Sequence, residues 1–280
     1  MQTISSNSGN AIDQIFGRCK ALIGMIHCPP FPGSPRYRGE TLDQIYDSCL
    51  RDAEGLIGNG LHGLVVENHG DVPFSKPDEI GPETSAFMAV VVDRIKRDFD
   101  VPIGINVLAN APIPAFAIAR ATGATFIRVN QWANAYIANE GFMEGRAAQA
   151  MRYRSALRGE GIKVFADSHV KHGSHSITAD RSVAELTRDL EFFDVDAVIA
   201  TGQRTGNSAT MEQINEVADA TNLPVLVGSG VSVDNIAQIL TRASAVIVAS
   251  SLKEGGVWWK PVDPVKVREF VIAATPAMGT

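Results

Sequence analysis

The chain has 280 residues, is 45% hydrophobic and carries a formal net charge of -6. That length and apolar content suit one large or two small globular domains. Lys and Arg are spread without runs, which excludes the basic patch that phosphate-backbone binding requires, so no nucleic-acid partner is expected.

In chain order, residues 1–20 precede the first strand and read as an N-terminal extension that packs on the body as a helix or stays partly loose. Its opening, MQTISSNSGNAIDQ, has no basic segment followed by an apolar core, so it is not read as a secretory signal. The cysteines are Cys19, Cys28 and Cys49, an odd number without C-x-x-C. They suggest reduced thiols in the cytoplasm rather than a disulfide framework or a zinc ribbon. The body, residues 21–280, contains eight short, β-branched, nearly continuous apolar runs: 21–27, 63–68, 102–108, 125–130, 163–168, 197–202, 224–230 and 245–251. Such runs suggest parallel strands covered on both faces. Stretches with helical spacing lie between them, among them 42–57, 83–99, 145–158, 182–193, 211–221, 233–240 and 265–273. Asp263-Pro264 and Ser232 read as helix start signals. The longest apolar run, 86–92, is far shorter than the roughly 20 residues of a spanning helix, so no integral membrane segment is expected. Strand and helix alternating eight times over about 250 residues predict an α/β fold, a single-domain (β/α)8 TIM barrel. An open doubly wound sheet is less compatible, because eight units are many for it and no G-x-G-x-x-G follows the first strand.

In a barrel the chemistry sits where strands end and βα loops begin. The unusual residues of this chain meet that rule. His27 ends the first strand, Glu67, Asn68 and His69 the second, and Asn106 lies near the end of the third. Arg128 and Asn130 end the fourth strand, and Asp167 and His169 the fifth, with His172 and His175 just beyond. Five of the six histidines fall at one end; only His62 lies at the other. The pairs Glu67/His69, Arg128/Asn130 and Asp167/His169 are each two residues apart, so each faces one side of its strand while the chain stays extended. Polar groups in such number are costly to bury without a use, which favours a ligand site over a hydrogen-bonded plug. The loops after strands 1, 2, 4 and 5 are long and carry Phe31, Tyr37, Phe74, Trp132, Tyr136 and Phe142, as walls, lids or a subunit interface. Strand 7 ends in Gly228-Ser229-Gly230 and strand 8 in Ser250-Ser251-Leu252-Lys253. Gly and Ser turns ahead of helix starts predict a phosphate-type anion site. The turn from Thr201 to Gly206 adds glycines and the cation Arg204.

Met25-Ile26-His27 with PPFPGSPRY, then VVENHGDVPF, INVLAN, IRVN, EGFMEGRA, FADSHVKH, ATGQRTG, LVGSGV and SSLKEGGVWWKPVD together resemble the BtpA/SgcQ family. The match runs from about residue 21 to the C-terminus. It implies a barrel related to phosphate-binding (β/α)8 proteins. One branch of the family is known as a factor for photosystem I biogenesis; another, among sugar-utilisation proteins, carries a nucleosidase label. The family motifs cover His27, Glu67, Asn68, Asn106, Asn130, Asp167, His169, Lys171, His172, Thr201, Gly228 and Lys253. The chain departs from the pattern at Ala109-Asn110-Ala111, where Arg-Asn-Asp is usual, at His69, where an aromatic is more usual, and at His175. Neither His69 nor His175 is therefore a leading catalytic candidate.

The expected function is acid–base catalysis on a small phosphorylated, ribosyl or sugar compound, of nucleosidase type. Glu67 or Asp167 would be the base and His169 or His172 the acid, with His27 nearby. Asn68, Asn106, Arg128, Asn130, Lys171, Thr201 and Arg204 would contact the substrate. Gly228, Ser229, Gly230, Ser250, Ser251 and Lys253 would hold an anion. One alternative is a divalent-metal hydrolase or lyase with Asp167, His169 and His172 as ligands, alongside Glu67 or His27. The other is a non-catalytic assembly factor. The partner is expected to be a small anionic substrate, and the protein a homo-oligomer.

Overall fold

Apolar β-branched runs buried on both faces become eight parallel strands that close on themselves. The structure, a computed structural model, describes residues 10–202 and 208–279. The elements run α1 (Ala11–Phe16), β1 (Ala21–His27), α2 (Leu42–Ile57), β2 (Gly63–Glu67), α3 (Pro82–Asp98), β3 (Ile103–Asn106), α4 (Pro112–Thr122), β4 (Phe126–Val129), β5 (Ala135–Ala138), β6 (Gly141–Glu144), α5 (Ala147–Ala156), β7 (Lys163–Asp167), α6 (Val183–Phe192), β8 (Ala197–Ala200), α7 (Met211–Asp219), β9 (Val225–Val227), α8 (Ile236–Ile239), β10 (Ala245–Val248) and α9 (Pro264–Ala274). Around the barrel the order is β1-β10-β9-β8-β7-β4-β3-β2. This is the predicted (β/α)8 barrel.

Side-chain alternation splits the core in two. Ile23 and Met25 of β1, Val65 of β2 and Ile199 of β8 point inward, with Phe126 and Phe165 stacked at 4.6 Å across the interior. Their neighbours Leu22, Ile26, Leu64, Val66 and Val198 point outward under the helices. Gly104 makes room for the ring pair: a Cβ there would lie 2.1 Å from Phe126 Cε2. At the N-terminal end Ala11 and Ile12 of α1 pack into the inner cluster and close that opening. The start signals act as read at Asp263, whose carboxylate accepts from the Val265 amide at 2.9 Å, and capping boxes form at Thr41, Ser182 and Thr210.

Two local expectations change. The long segment after β4 is not only loop: β5 and β6 pair antiparallel across the Asn139-Glu140 turn. Four residues per strand, three of the eight alanine or glycine, leave too little alternation to read in advance. The helix expected over 233–240 shortens to α8. Asn235 Oδ1 accepts from the Ser232 amide at 2.8 Å and its Nδ2 donates to the Gly230 carbonyl at 2.9 Å. Those bonds close a turn where Ser232 was expected to cap a helix. Among the described residues no helix is long and apolar enough to cross a membrane.

Candidate functional site

Parallel register builds the site. Across β1, β2 and β3 the pairs His27↔Glu67 and Glu67↔Asn106 stand in one row at the C-terminal rim. In-register residues on adjacent parallel strands share a face about 4.8 Å apart. The row is bonded accordingly: Asn106 Nδ2 donates to Glu67 Oε2 at 2.5 Å, and His27 Nε2 lies 3.6 Å from Glu67 Oε1. His69, where β2 has turned into a short 3-10 segment, brings its Nδ1 to 2.8 Å from the same Oε1. Its ring stacks on His27 with centroids 4.5 Å apart and meets Trp258 edge-on at 4.4 Å. His27 Nδ1 lies 3.1 Å from the Trp258 carbonyl.

Burial pushes the Glu67 carboxyl up, but the hydrogen bond from His69 and the pull of its neighbours, Arg128 among them, more than reverse this, so it sits well below the usual carboxylate range. Burial pushes His27 down to about 3, against the attraction of Glu67. His27 is therefore neutral, and Glu67 is held ionised by the hydrogen bond from His69 and the charge of Arg128.

The other side of the mouth is built on β4 and β7. Arg128 donates to Asp167 twice, Nε to Oδ1 at 3.1 Å and Nη2 to Oδ2 at 3.0 Å, and Asn130 Nδ2 reaches Oδ2 at 3.2 Å. The Asp167 side chain is 0% exposed, so all its lone pairs face protein. Gly228 lets the next turn approach: a Cβ there would lie 2.7 Å from Ile199 Cγ2 of β8, and the turn passes beside Arg128. Lys171 also points into the mouth. Burial, then the Arg128 charge, lowers its amine below the ordinary lysine value, while Asp167 and Glu67 partly restore it.

These two sides face one cavity of about 570 Å³. His27, Glu67 and His69 line one wall; Arg128, Asn130, Lys171 and His172 line another. The Gly228-Ser229-Gly230 turn and Ser250 and Ser251 complete it, with Met25 and Ile247 at the floor and Phe74 and Tyr136 at the rim.

Several expected site residues lie elsewhere. Asp167 and His169 do not share a pocket, because β7 ends at Asp167 and the alternation stops there. The His169 ring stacks on His175 at 3.6 Å and lines an outer groove with Ile137 and Gly173. Burial lowers its pKa to about 4. Asp167, His169 and His172 thus do not assemble as metal ligands. Among the described residues the group of such side chains close enough to hold an ion is His27, Glu67 and His69. Lys253 does not face the anion turns: its Nζ donates to Asp52 Oδ2 of α2 at 2.6 Å, a buried pair behind the mouth. Asn68 bridges loops, accepting from the Leu108 amide at 2.7 Å and donating to Asp71 at 3.0 Å. Thr201 donates its hydroxyl to the His169 carbonyl at 2.5 Å. Asn106 stands behind Glu67. Trp132 is fully buried, donating Nε1 to the Phe193 carbonyl at 2.8 Å, and walls no cavity. Arg204 lies outside the described residues. Sequence reasoning passed over His69 and Trp258, the first because it departs from the family pattern. Its spacing of two from Glu67 was the available signal.

A closed parallel barrel with a polar cavity at the C-terminal ends of its strands defines the chain as a TIM-barrel protein. Solved structures agree on the fold. (S)-3-O-geranylgeranylglyceryl phosphate synthase from Thermoplasma acidophilum, in complex with sn-glycerol-1-phosphate, matches with TM-score 0.59 at 13% identity, covering 99% of this chain and all of that one, 100%. N-(5'-phosphoribosyl)anthranilate isomerase from Pyrococcus furiosus matches with TM-score 0.56 at 15% identity, covering 92% and 99%. The chain belongs to the BtpA family, whose model matches residues 18–276. Its relatives include an uncharacterized protein of Archaeoglobus fulgidus, 39% identical over 91% of this chain and 98% of that one. The photosystem I biogenesis protein BtpA of Synechocystis sp. is 36% identical over 93% and 90%.

Proposed function

We propose that the protein is an enzyme acting on a small phosphorylated or ribosyl compound held in the mouth cavity. The observation that supports this best is the division of one cavity into two ends. One end offers an ionised carboxylate flanked by two imidazoles. The other offers the cations Arg128 and Lys171 beside the Gly228-Ser229-Gly230 turn. A phosphate at the cationic end meets guanidinium, ammonium and a glycine-rich turn, a set suited to an anion. The bond to be changed then lies against Glu67, His27 and His69, where carboxylate and imidazole carry proton transfer. Arg128 is the anchor, and Asp167 is its positioning residue.

The test is a ligand panel read by thermal shift and calorimetry: ribose 5-phosphate, nucleoside monophosphates, ribose and nucleosides. Phosphorylated members should bind and stabilise, their unphosphorylated counterparts should not, and the product of any turnover should be visible by mass spectrometry. Equal binding of the two groups, or none by either, would remove the anion end. That outcome would favour a non-catalytic role of the kind that the name of the Synechocystis relative describes.

A further inference from the structure

The rim row on β1 and β2 holds an arrangement that hydrogen bonding alone does not explain. The Trp258 carbonyl can only accept, so His27 Nδ1 carries a proton and the ring's Nε2 is the atom turned toward the carboxylate. His27 Nε2 stands 3.6 Å from Glu67 Oε1. That spacing is too long for a shared proton. The same oxygen is approached by His69 Nδ1 at 2.8 Å. Two imidazole nitrogens thus converge on one carboxylate oxygen, and all three atoms lie within 4.8 Å of one another.

We propose that His27 Nε2, Glu67 Oε1 and His69 Nδ1 form a site for a divalent transition-metal ion of the zinc class, with its remaining positions open to the mouth cavity. Two imidazoles and one carboxylate are a donor set that zinc takes in hydrolytic centres. Ligand bonds of about 2.0–2.2 Å at tetrahedral angles place donor atoms about 3.4 Å apart, and the observed 2.8 and 3.6 Å bracket that value. The outer partners also fit. Metal-bound histidines pass their other ring proton to a carbonyl or carboxylate, as His27 does to Trp258. Asn106 Nδ2 holds Glu67 Oε2 at 2.5 Å, which fixes the carboxylate and leaves Oε1 for the ion. Three protein ligands on one side of a 570 Å³ cavity make a site open to water or substrate. On binding, His69 Nδ1 would give up its proton, and the neutral ring would carry its one proton on Nε2. With an ion bound, these three atoms would be ligands and not proton carriers, so the inference replaces the reactive-end half of the reading above and rests on that reading only in sharing the cavity.

The experiment uses the full chain stripped with a chelator and titrated with zinc chloride alone by calorimetry. Cobalt(II) then serves as a visible probe. One ion per chain is expected, with cobalt bands of nitrogen and oxygen ligation and no thiolate charge-transfer band from the nearby Cys28. Glu67→Gln and His69→Gln should each weaken zinc by more than the roughly 10–100-fold that loss of an outer partner costs. His169→Ala and His172→Ala should leave it unchanged. Circular dichroism establishes that each variant is folded, and His69→Gln, on a partly exposed side chain, is the variant that tolerates loss best. Absence of stoichiometric zinc binding in the wild type overturns the site, as does zinc binding that survives in folded Glu67→Gln and His69→Gln. Ribose 5-phosphate binding to the stripped protein is measured in parallel. Its presence without zinc binding ends the metal site alone, and its absence with zinc binding ends the anion reading alone.

Discussion

Two carboxylates end two strands of the same barrel and do opposite things. Asp167, at the end of β7, is enclosed by a bidentate arginine and an asparagine and has no exposed side-chain surface. Glu67, at the end of β2, is equally buried by residue, 5% against 3%, yet it lines the cavity and shares one oxygen between two imidazoles. The difference lies in the partners. A guanidinium matches both oxygens of a carboxylate and saturates it, whereas imidazoles meet it through single atoms and leave room for a further charge. Position at a strand end makes a residue available; its partners decide whether it is saturated or left open to the cavity.

The largest expected effect breaks the structural half of that comparison. Asp167→Ala leaves Arg128 buried and unpaired, and should cost about 3–5 kcal/mol in urea unfolding. A loss below about 1 kcal/mol would mean that the pair does not hold this wall of the mouth. Lys171→Met tests the cavity-facing half. Removing one charged hydrogen-bond donor should weaken a phosphorylated ligand by roughly 10–100-fold. Because burial already disfavours the Lys171 ammonium, the same change should leave the melting temperature equal or higher. Ligand affinity unchanged with the melting temperature lowered would make Lys171 a packing residue.

A third prediction contrasts the mouth with the opposite end. His62 Nδ1 accepts from the Leu22 amide at 2.9 Å, and burial, with Arg18 nearby, lowers its pKa to about 4. Between about 4 and 6.5 the unfolded chain binds this proton and the folded one does not, so stability should fall as pH drops through that window. His169 acts with the same sign, down to about 4. His62→Gln should flatten part of the slope in denaturant midpoints taken from pH 7 to pH 4. An unchanged slope would assign the acid loss to the mouth. The smallest effect is expected from Ser251→Ala, which deletes the hydroxyl bond to the Val231 carbonyl, 2.7 Å, at about 1 kcal/mol. A larger loss would show that this bond ties the two anion turns together.

The barrel was legible because each strand carries its own signal in four or five consecutive residues. Rim polarity was legible too, since His27, Glu67, Asn106 and Arg128 fall at strand ends by simple counting. Pairing was not. Arg128 finds Asp167 39 residues on, and Lys253 finds Asp52 201 residues back, across separations that no local pattern spans. Alternation failed for Asp167 and His169 because the strand ended between them, yet the Glu67–His69 pair met although its strand also ends at Glu67, where the 3-10 turn folds His69 back. His69 departs from the family pattern, and its ring nitrogen nevertheless stands 2.8 Å from Glu67 Oε1, in the cluster at the rim.

The closed floor governs traffic. α1 seals the far end of the barrel and the stacked Phe126 and Phe165 block its middle, so the cavity is blind and one doorway serves both arrival and departure. Whatever occupies this cavity therefore comes and goes at the C-terminal ends of the strands.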